Sequence, residues 1–338
     1  MTTLSLKVFF NDKKEFCIAI FSLLLLTVMY VVIGSSTWAV NPIESPLEFC
    51  EKIAEGLVKE PMNSFSNFSY IIVGLVILWN IPSKILSANN PMLDRSLYPI
   101  LYGLGSIYIG VGSFAMHGTN THWGASMDWT GMLFFISFPV FYNLSREYGW
   151  NYQFFAVIFF GVFILTVIVD TYAVISNPIL IEDYSGSKNL RLQHITRDYL
   201  WSLYIGVWII QETKNVTNNS LIWMVSLPLI ACLTLSVGAP VVQLVVLCIL
   251  FASIAVFSNV KAGRKITRKP TPSLWLGLGA YLIANVVWRM GRDGEDTCNP
   301  ESLFQYHALW HLLTGLAVYF FYRYFTTETM NDSISEQE

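Results

Sequence analysis

Residues 97–117 read LYPILYGLGSIYIGVGSFAMH. The part from 97 to 116 carries no charged side chain, and it is as long as an α-helix must be to cross a bilayer, about 20 residues. A helix is the expected conformation in such a run, because it satisfies its backbone hydrogen bonds internally where no water is available. The segment therefore predicts a fold of membrane-embedded helices.

The composition of the whole chain agrees with a membrane location. Of its 338 residues, 54% are hydrophobic and only 13% are charged, and the mean hydropathy is +0.50. These values are too apolar for a soluble domain of this size. The net charge is −3 with 20 lysine and arginine residues, so the chain lacks the basic field that nucleic-acid binding requires, and no nucleic-acid partner is expected.

Further apolar segments repeat the pattern along the chain. The first, at 16–40, is longer than 20 residues, which favours a retained anchor helix over a cleaved signal peptide. Pro240 predicts a hairpin between two later segments, because proline breaks a helix. We therefore expect an all-α polytopic membrane protein with about ten crossings. The remaining segments lie at 64–80, 125–144, 152–171, 220–237, 240–259, 272–290 and 304–323, with a shorter one at 198–212.

The distribution of charge predicts the orientation of these crossings. Short loops that face the cytoplasm are enriched in lysine and arginine. A cytosolic N-terminus puts most of these residues inside, including the basic run at 261–269, and leaves the acidic segments 41–62 and 291–303 outside. We divide the chain into a cytosolic tip with an anchor helix (1–40), a multi-helix transmembrane domain (41–325) and a polar C-terminal tail (326–338).

The same topology sorts the five cysteines. Cys17, Cys232 and Cys248 fall inside apolar segments, whereas Cys50 and Cys298 fall in the two acidic outer loops. A disulfide between Cys50 and Cys298 follows as a hypothesis, since lumenal and extracellular compartments permit such bonds. The alternative is two unrelated loop cysteines.

Several side chains that can bind metal or act in catalysis are predicted to meet on the outer side. His307 and His311 are four residues apart at the start of the last apolar segment, so a helix puts both rings on one face. Ser113 and His117 have the same spacing at the outer end of segment 97–116, and Asp128 opens the next segment. The topology brings all five to one depth in the membrane.

Three histidines at one depth suit a catalytic zinc site. They leave a fourth tetrahedral position for water, unlike the closed set of ligands in a structural site. Zinc acidifies such a water and polarises a substrate carbonyl. Asp128 is then a candidate general base or water-positioning group, and Ser113 is a candidate hydrogen-bond donor to the water or to a developing oxyanion.

Each residue also has a simpler interpretation. A histidine at the membrane edge is often an interfacial residue, Ser113 suits helix packing, and Asp128 suits a helix N-cap. His122, in the same outer loop, competes with His117 as the third ligand, but its turn provides less fixed geometry. Asp170 is interpreted as a residue at the boundary of an apolar segment.

The pattern SxxxH, then Asp, then HxxxH on the last helix resembles the superfamily of alkaline ceramidases, progestin and adiponectin receptors and Per1-like lipid-remodelling proteins. A second stretch narrows the resemblance to the alkaline ceramidase family. Glu48–Glu51 (EFCE) and Glu60–Asn67 (EPMNSFSN) are similar to the amino-terminal block of that family. The resemblance covers the outer loop 48–60, the first core helix, the SxxxH–Asp hairpin and residues 298–320.

This resemblance implies a seven-helix core that hydrolyses the amide bond of ceramides to a sphingoid base and a fatty acid. In the family, three histidines hold zinc, a serine and an aspartate assist, and a disulfide joins the amino-terminal motif to the loop before the last helix. The corresponding residues here are His117, His307 and His311 for zinc, Ser113 and Asp128 for catalysis, and Cys50 and Cys298 for the disulfide.

The resemblance also implies a calcium ion in the amino-terminal block. The corresponding ligands are Glu48, the main chain of Phe49, Glu51 and Glu60, whose oxygens suit a hard cation. The family usually has an asparagine where this chain has Ile53, so only a backbone oxygen can serve at that position. Without the resemblance, these glutamates would be interpreted as a solvated acidic loop.

The chain is longer than the family core. Five apolar segments lie between Asp128 and His307 where the family has three, and one more precedes residue 48, so about three additional transmembrane helices are expected. Both additions keep the catalytic residues on one side of the membrane.

Our leading hypothesis is a multi-pass, zinc-dependent hydrolase of a ceramide-like membrane lipid. Its N-terminus is cytosolic, and its active side is lumenal, extracellular or periplasmic. The alternatives are a lipid-ester hydrolase similar to the GPI-remodelling members and a receptor-like lipid-binding protein with a zinc site.

Overall fold

The computed structural model describes residues 10–40, 49–83, 90–176, 192–216, 221–235, 241–260 and 265–331. Within these ranges the chain is an all-α polytopic membrane protein with eleven α-helices and one small two-stranded sheet. It divides into two compact units. Unit 1 comprises residues 1–132 and 268–328, and unit 2 comprises residues 133–267 and 329–338.

The described elements include these helices and two short strands. In chain order they are α1 (Lys14–Ser36), α2 (Pro61–Ser66), α3 (Phe68–Trp79), α4 (Leu97–Thr119), α5 (His122–Glu147), α6 (Tyr152–Ser176), α7 (Leu192–Val216), α8 (Leu221–Leu235), α9 (Val241–Val260), α10 (Pro272–Met290) and α11 (Tyr306–Phe325), with strands β1 (Lys265–Arg268) and β2 (Glu328–Asn331).

Every apolar segment predicted to cross the membrane contains an α-helix within its described residues. Among the described residues, four stretches are long and apolar enough to span a bilayer on their own: Lys14–Ser36, Pro61–Trp79, Leu97–Thr119 and Tyr152–Tyr172. The other helices carry more polar residues or have shorter apolar windows. The predicted hairpin at Pro240 lies outside the described residues.

Two segments differ in extent from their prediction. The predicted segment 64–80 is two helices, α2 and α3, which meet at Asn67, where the side-chain amide donates to the main-chain oxygen of Asn63 (2.8 Å). The predicted short segment 198–212 is the 25-residue helix α7. Its polar start is compatible with a helix because Arg197 is buried against Asp170 (2.6 and 2.9 Å).

That ion pair corrects the interpretation of Asp170. The residue lies inside α6 with 2% of its surface exposed, and both of its carboxylate oxygens accept hydrogen bonds from Arg197 on α7. A buried charge is tolerated when it is paired in this two-pronged geometry. Elsewhere in unit 2, the ends of α7, α8 and α9 pack around an apolar cluster that includes Ile210, Met224 and Phe251.

In unit 1, helix α3 is held closely between α4 and α11. A side chain at Gly74 would meet the main-chain oxygen of Gly103, so the α3–α4 contact requires glycine. On the other side, a Cβ atom at Gly315 would lie 2.6 Å from Oγ of Ser69. Small residues allow helices in membranes to approach in this way. The result is that α2, α3, α4 and α11 share one tightly packed centre.

Two loops of unit 1, the one before α2 and the one after α10, are joined to each other by covalent and hydrogen bonds. A disulfide links Cys50 to Cys298, which confirms the predicted pairing. Phe49 forms an isolated antiparallel bridge with Arg292, and the amide of Cys50 donates to the main-chain oxygen of Gly291 (3.0 Å). The loop that follows α10 is thereby fastened to the segment that precedes α2.

The polar tail predicted after Thr326 begins with an ordered strand, β2. In unit 1, Glu328 at its start accepts a hydrogen bond from Arg268 (2.8 Å), and both side chains are almost fully buried. In unit 2, the hydroxyl groups of Thr267 and Thr329 lie 2.8 Å apart. These contacts fasten the chain immediately after α11.

Candidate metal centre

Three histidines converge in unit 1, as the sequence predicts. His117 is near the end of α4, and His307 and His311 lie one turn apart at the start of α11. One ring nitrogen from each lies within 4.8 Å of those of the other two, and Nε2 of His117 is 3.1 Å from Nε2 of His307. All three side chains are buried. Three imidazole nitrogens that face one point form a donor set suited to zinc.

Hydrogen bonds fix which nitrogen two of these rings present to the centre. Nδ1 of His117 lies 2.7 Å from Oε2 of Glu60, an oxygen that also accepts from the side-chain amide of Asn63, so we assign the proton to Nδ1 as the donor to that oxygen. Nδ1 of His311 lies 2.8 Å from Oγ of Ser66, whose own proton is donated to the main-chain oxygen of Asn63. Ser66 therefore accepts from His311. In both rings the lone pair on Nε2 is left free for a metal.

The third ring, His307, is held differently. Its Nδ1 is buried and has no hydrogen-bond partner within the described ranges. Instead, the ring of Phe49 stacks on it, with centroids 3.7 Å apart and planes inclined by 27°. The backbone at Gly291 also lies against the start of α11, since a Cβ atom there would be 2.7 Å from the amide nitrogen of His307.

Both predicted catalytic side chains lie on the helices that border the histidines. Oγ of Ser113 is 3.4 Å from Nε2 of His311, on the edge of the ring that faces the centre. Asp128 is buried on α5. It lies beside the turn of α4 that carries Ser113, because a Cβ atom at Gly112 would be only 3.1 Å from the amide nitrogen of Asp128. A glycine at 112 therefore permits this approach.

The glutamates of the amino-terminal block are largely engaged in hydrogen bonds. Glu51 accepts from the amides of Met62 (2.7 Å) and Asn63 (2.8 Å) at the start of α2. Burial raises the pKa of Glu51, and these two hydrogen bonds oppose the shift. Burial also raises the pKa of Glu60 to about 8, against a hydrogen bond from the side chain of Asn63. Glu48 lies outside the described residues.

Glu60 keeps one carboxylate oxygen free within the described part of the chain. Its Oε1 is buried without a hydrogen-bond partner there, as is Oδ1 of the neighbouring Asn63. Uncompensated oxygens of this kind are the donors that a hard cation prefers. The described part of the block therefore fits a calcium ion at Glu60 better than at Glu51.

His122, the alternative third zinc ligand, lies apart from the cluster of three histidines. His122 is exposed at the first position of α5 and is not among the converging ring nitrogens. The preference for His117 over His122 agrees with this arrangement.

Sequence reasoning missed how the polar residues of α2 and α3 support the histidines. The sequence motifs assign Glu60 to calcium alone and give Ser66 no role of its own. A signal was present, because the polar residues at 60, 63, 67 and 70 recur every three or four positions at the start of an apolar segment, which indicates one helix face, and Ser66 adjoins that face. Tyr70 continues this face by hydrogen bonding to Thr314, one turn beyond His311.

One family model matches part of the chain. No curated protein matches the chain. The family model described as Ceramidase matches residues 41–185, a segment that contains Glu60, Ser113, His117 and Asp128 and ends before α11. Over that segment, which is less than half of the chain, the match confirms the resemblance to the alkaline ceramidase family that the sequence motifs indicate.

Proposed function

We propose that this protein is a zinc-dependent transmembrane amidohydrolase that cleaves the amide bond of ceramide, or of a related sphingolipid, to a sphingoid base and a fatty acid. The observation that carries the proposal is the buried convergence of His117, His307 and His311 beside Ser113. The family match over residues 41–185 supports a lipid of the ceramide class as the substrate.

The donor set fits zinc, and bound zinc would supply Lewis acidity toward the amide carbonyl and toward water. His117 and His311 present unprotonated Nε2 atoms because their Nδ1–H groups donate hydrogen bonds to Glu60 and Ser66. Ser113 lies at the same edge of His311, where its hydroxyl would donate a hydrogen bond to the oxygen that becomes negative during attack.

Asp128 has the role of the proton carrier in this proposal. It is buried next to the turn of Ser113, within the same group of helices. A carboxylate there would accept a proton from the attacking water and return it to the leaving amine, since amide cleavage requires protonation of the nitrogen that departs.

We also propose a calcium ion at the amino-terminal block. The support is the resemblance of EFCE and EPMN to the family block, together with the buried oxygen Oε1 of Glu60, which has no hydrogen-bond partner among the described residues. Because the other oxygen of Glu60 accepts from His117, such an ion would stabilise the same loop that orients a zinc ligand.

The proposed orientation puts the N-terminus in the cytosol and the metal centre toward the lumen or the exterior. The disulfide supports this side for the centre, because Cys50 directly follows Phe49, which contacts His307, and disulfides persist in oxidising compartments. The substrate would then enter from the bilayer, where ceramide-like lipids reside.

The test uses the full chain, purified in detergent and reconstituted into lipid vesicles that contain ceramides of several acyl lengths. We expect zinc by metal analysis, and release of sphingoid base and fatty acid by mass spectrometry. His311→Ala should lose both, whereas the matched control His122→Ala should keep both, since His122 is exposed and outside the cluster. Selective removal of calcium should lower the rate while the zinc content is retained.

Other outcomes identify the competing functions. An intact ceramide pool with zinc-loaded wild type would overturn the amidohydrolase assignment. Cleavage of an ester-linked lipid by the same sample would identify a lipid-ester hydrolase. Lipid binding that changes conformation without any product, and that survives loss of zinc in His311→Ala, would indicate a receptor-like protein.

A further inference from the structure

Two of the three histidines are held by hydrogen bonds from Nδ1, whereas the third is contacted by the ring of an aromatic residue. Nδ1 of His117 donates to a carboxylate, and Nδ1 of His311 donates to a hydroxyl group. Nδ1 of His307 is buried with no acceptor in the described ranges. A metal-binding histidine normally donates its second ring N–H to an acceptor that fixes the orientation of the ring. Within the described part of the chain, His307 is therefore oriented by a contact of another kind.

Phe49 is the residue in position to do so. Its ring lies over the face of His307 with centroids 3.7 Å apart, and it also approaches the ring of His117, with centroids 5.2 Å apart. The stacked ring blocks rotation of His307 about its side-chain bonds. In addition, a ring that has donated its lone pair to a divalent cation becomes electron-poor, and the negative face of a phenyl group stabilises it.

The backbone at position 49 is fixed from two directions, so the phenyl ring is itself held in place. Phe49 is bridged to Arg292, and the next residue, Cys50, is bonded to Gly291 through its amide and to Cys298 through its sulfur. Gly291 in turn lies against the first turn of α11, which carries His307. The phenyl ring and the imidazole are therefore parts of one braced structure.

We infer that Phe49 is the positioning residue for His307, and that its ring does by stacking what Glu60 and Ser66 do for the other two histidines by hydrogen bonding. This inference rests on the metal centre of the proposed function and extends it to a residue that is not a zinc ligand. It does not depend on which lipid is cleaved.

The test measures metal binding directly. Wild type, Phe49→Leu and Phe49→Tyr are purified as full chains, loaded with zinc, and titrated with a chromophoric chelator to obtain the affinity. We expect the zinc affinity of Phe49→Leu to be about tenfold or more below that of wild type, in the range found when a supporting group of a metal ligand is removed. The zinc affinity of Phe49→Tyr should remain near wild type, because the aromatic ring is kept. The matched control is Phe304→Leu, a change at an exposed phenylalanine in the loop before α11.

A second readout separates positioning from general loosening of the fold. With cobalt in place of zinc and metal in excess, the visible absorption spectrum reports the geometry of the ligands. The spectrum of Phe49→Leu should differ from that of wild type, and that of Phe49→Tyr should match it. An unfolding temperature in detergent close to that of wild type verifies that each variant has folded.

The possible failures are distinguishable. Equal affinity and equal spectra for wild type and Phe49→Leu would overturn this inference and leave the proposed function standing. A wild-type chain that binds no zinc would overturn the proposed metal centre and this inference together.

Discussion

Ser66 shows how one hydroxyl group can set the chemistry of a metal ligand. Its proton is committed to the main-chain oxygen of Asn63, so it can only accept from Nδ1 of His311. That constraint leaves the lone pair of His311 on Nε2, which faces the centre. Composition and hydropathy cannot reveal such a role, because a serine in a membrane helix most often serves packing.

We predict that Ser66→Ala weakens zinc binding by about 10–100-fold, because His311 loses the acceptor that fixes its tautomer and orientation. The affinity is measured by competition with a chelator. Ser64→Ala is the matched control, since Ser64 is a buried serine on the same short helix whose hydroxyl has no hydrogen-bond partner within the described part of the chain. A Ser64→Ala loss as large as that of Ser66→Ala would contradict the assigned role.

At the scale of the helix, a close contact at a glycine determines where the histidines of α11 lie along the helix axis. Ser69 on α3 donates to the main-chain oxygen of His311 (2.9 Å) and lies directly against Gly315 on the next turn of α11. This contact therefore fixes the position of α11 along its own axis. The reference is the face of α2 and α3 that carries the serines. A larger residue at 315 would have to push the two helices apart.

We predict that Gly315→Ala destabilises the protein by about 1–3 kcal/mol, the usual cost of forcing extra atoms into a packed interface. Gly279→Ala on α10 is the control, because a Cβ atom at 279 would meet nothing within 4 Å. Alanine also has the higher helix propensity, so the control should unfold at an equal or higher temperature. Thermal unfolding in detergent compares the two. A Gly315→Ala variant as stable as Gly279→Ala would refute the packing argument.

The helical fold could be predicted from the sequence because each membrane helix requires its own apolar run. The prediction failed where polar side chains find partners inside the membrane region. The start of α7 was missed because Arg197 looks like a terminus until Asp170 is known to pair with it. The break at Asn67 was missed because hydropathy does not report where a side-chain amide bonds to the preceding turn.

At the scale of the whole molecule, the disulfide fastens two loops that border the metal centre. Cys50 and Cys298 are separated by 248 residues along the chain, so their bond closes a very large loop. The pairing could be predicted from topology, since these two cysteines fall outside apolar segments. The stacking of Phe49 on His307 could not, because it depends on how the joined loops fold back over α11.

We predict that Cys50→Ser, Cys298→Ser and the double variant each lower stability by about 2–5 kcal/mol, the usual cost of losing a native disulfide. The two single variants and the double variant should be alike, because one bond is lost in every case. Cys248→Ser, at a free cysteine on α9, should behave as wild type. Unfolding temperatures under non-reducing conditions test this. An additive loss in the double variant would mean that the two sulfurs act independently.

The distance between the two cysteines along the chain also has a consequence for synthesis. At ribosomal rates of roughly 5–20 residues per second, synthesis of the 248 residues from Cys50 to Cys298 takes about 12–50 s. The Cys50 thiol cannot form its disulfide during that time. His117 is likewise synthesised well before His307 and His311, which lie on α11. The centre therefore assembles only after α11 has been synthesised, and a chain interrupted before α11 would insert many helices while offering no metal site.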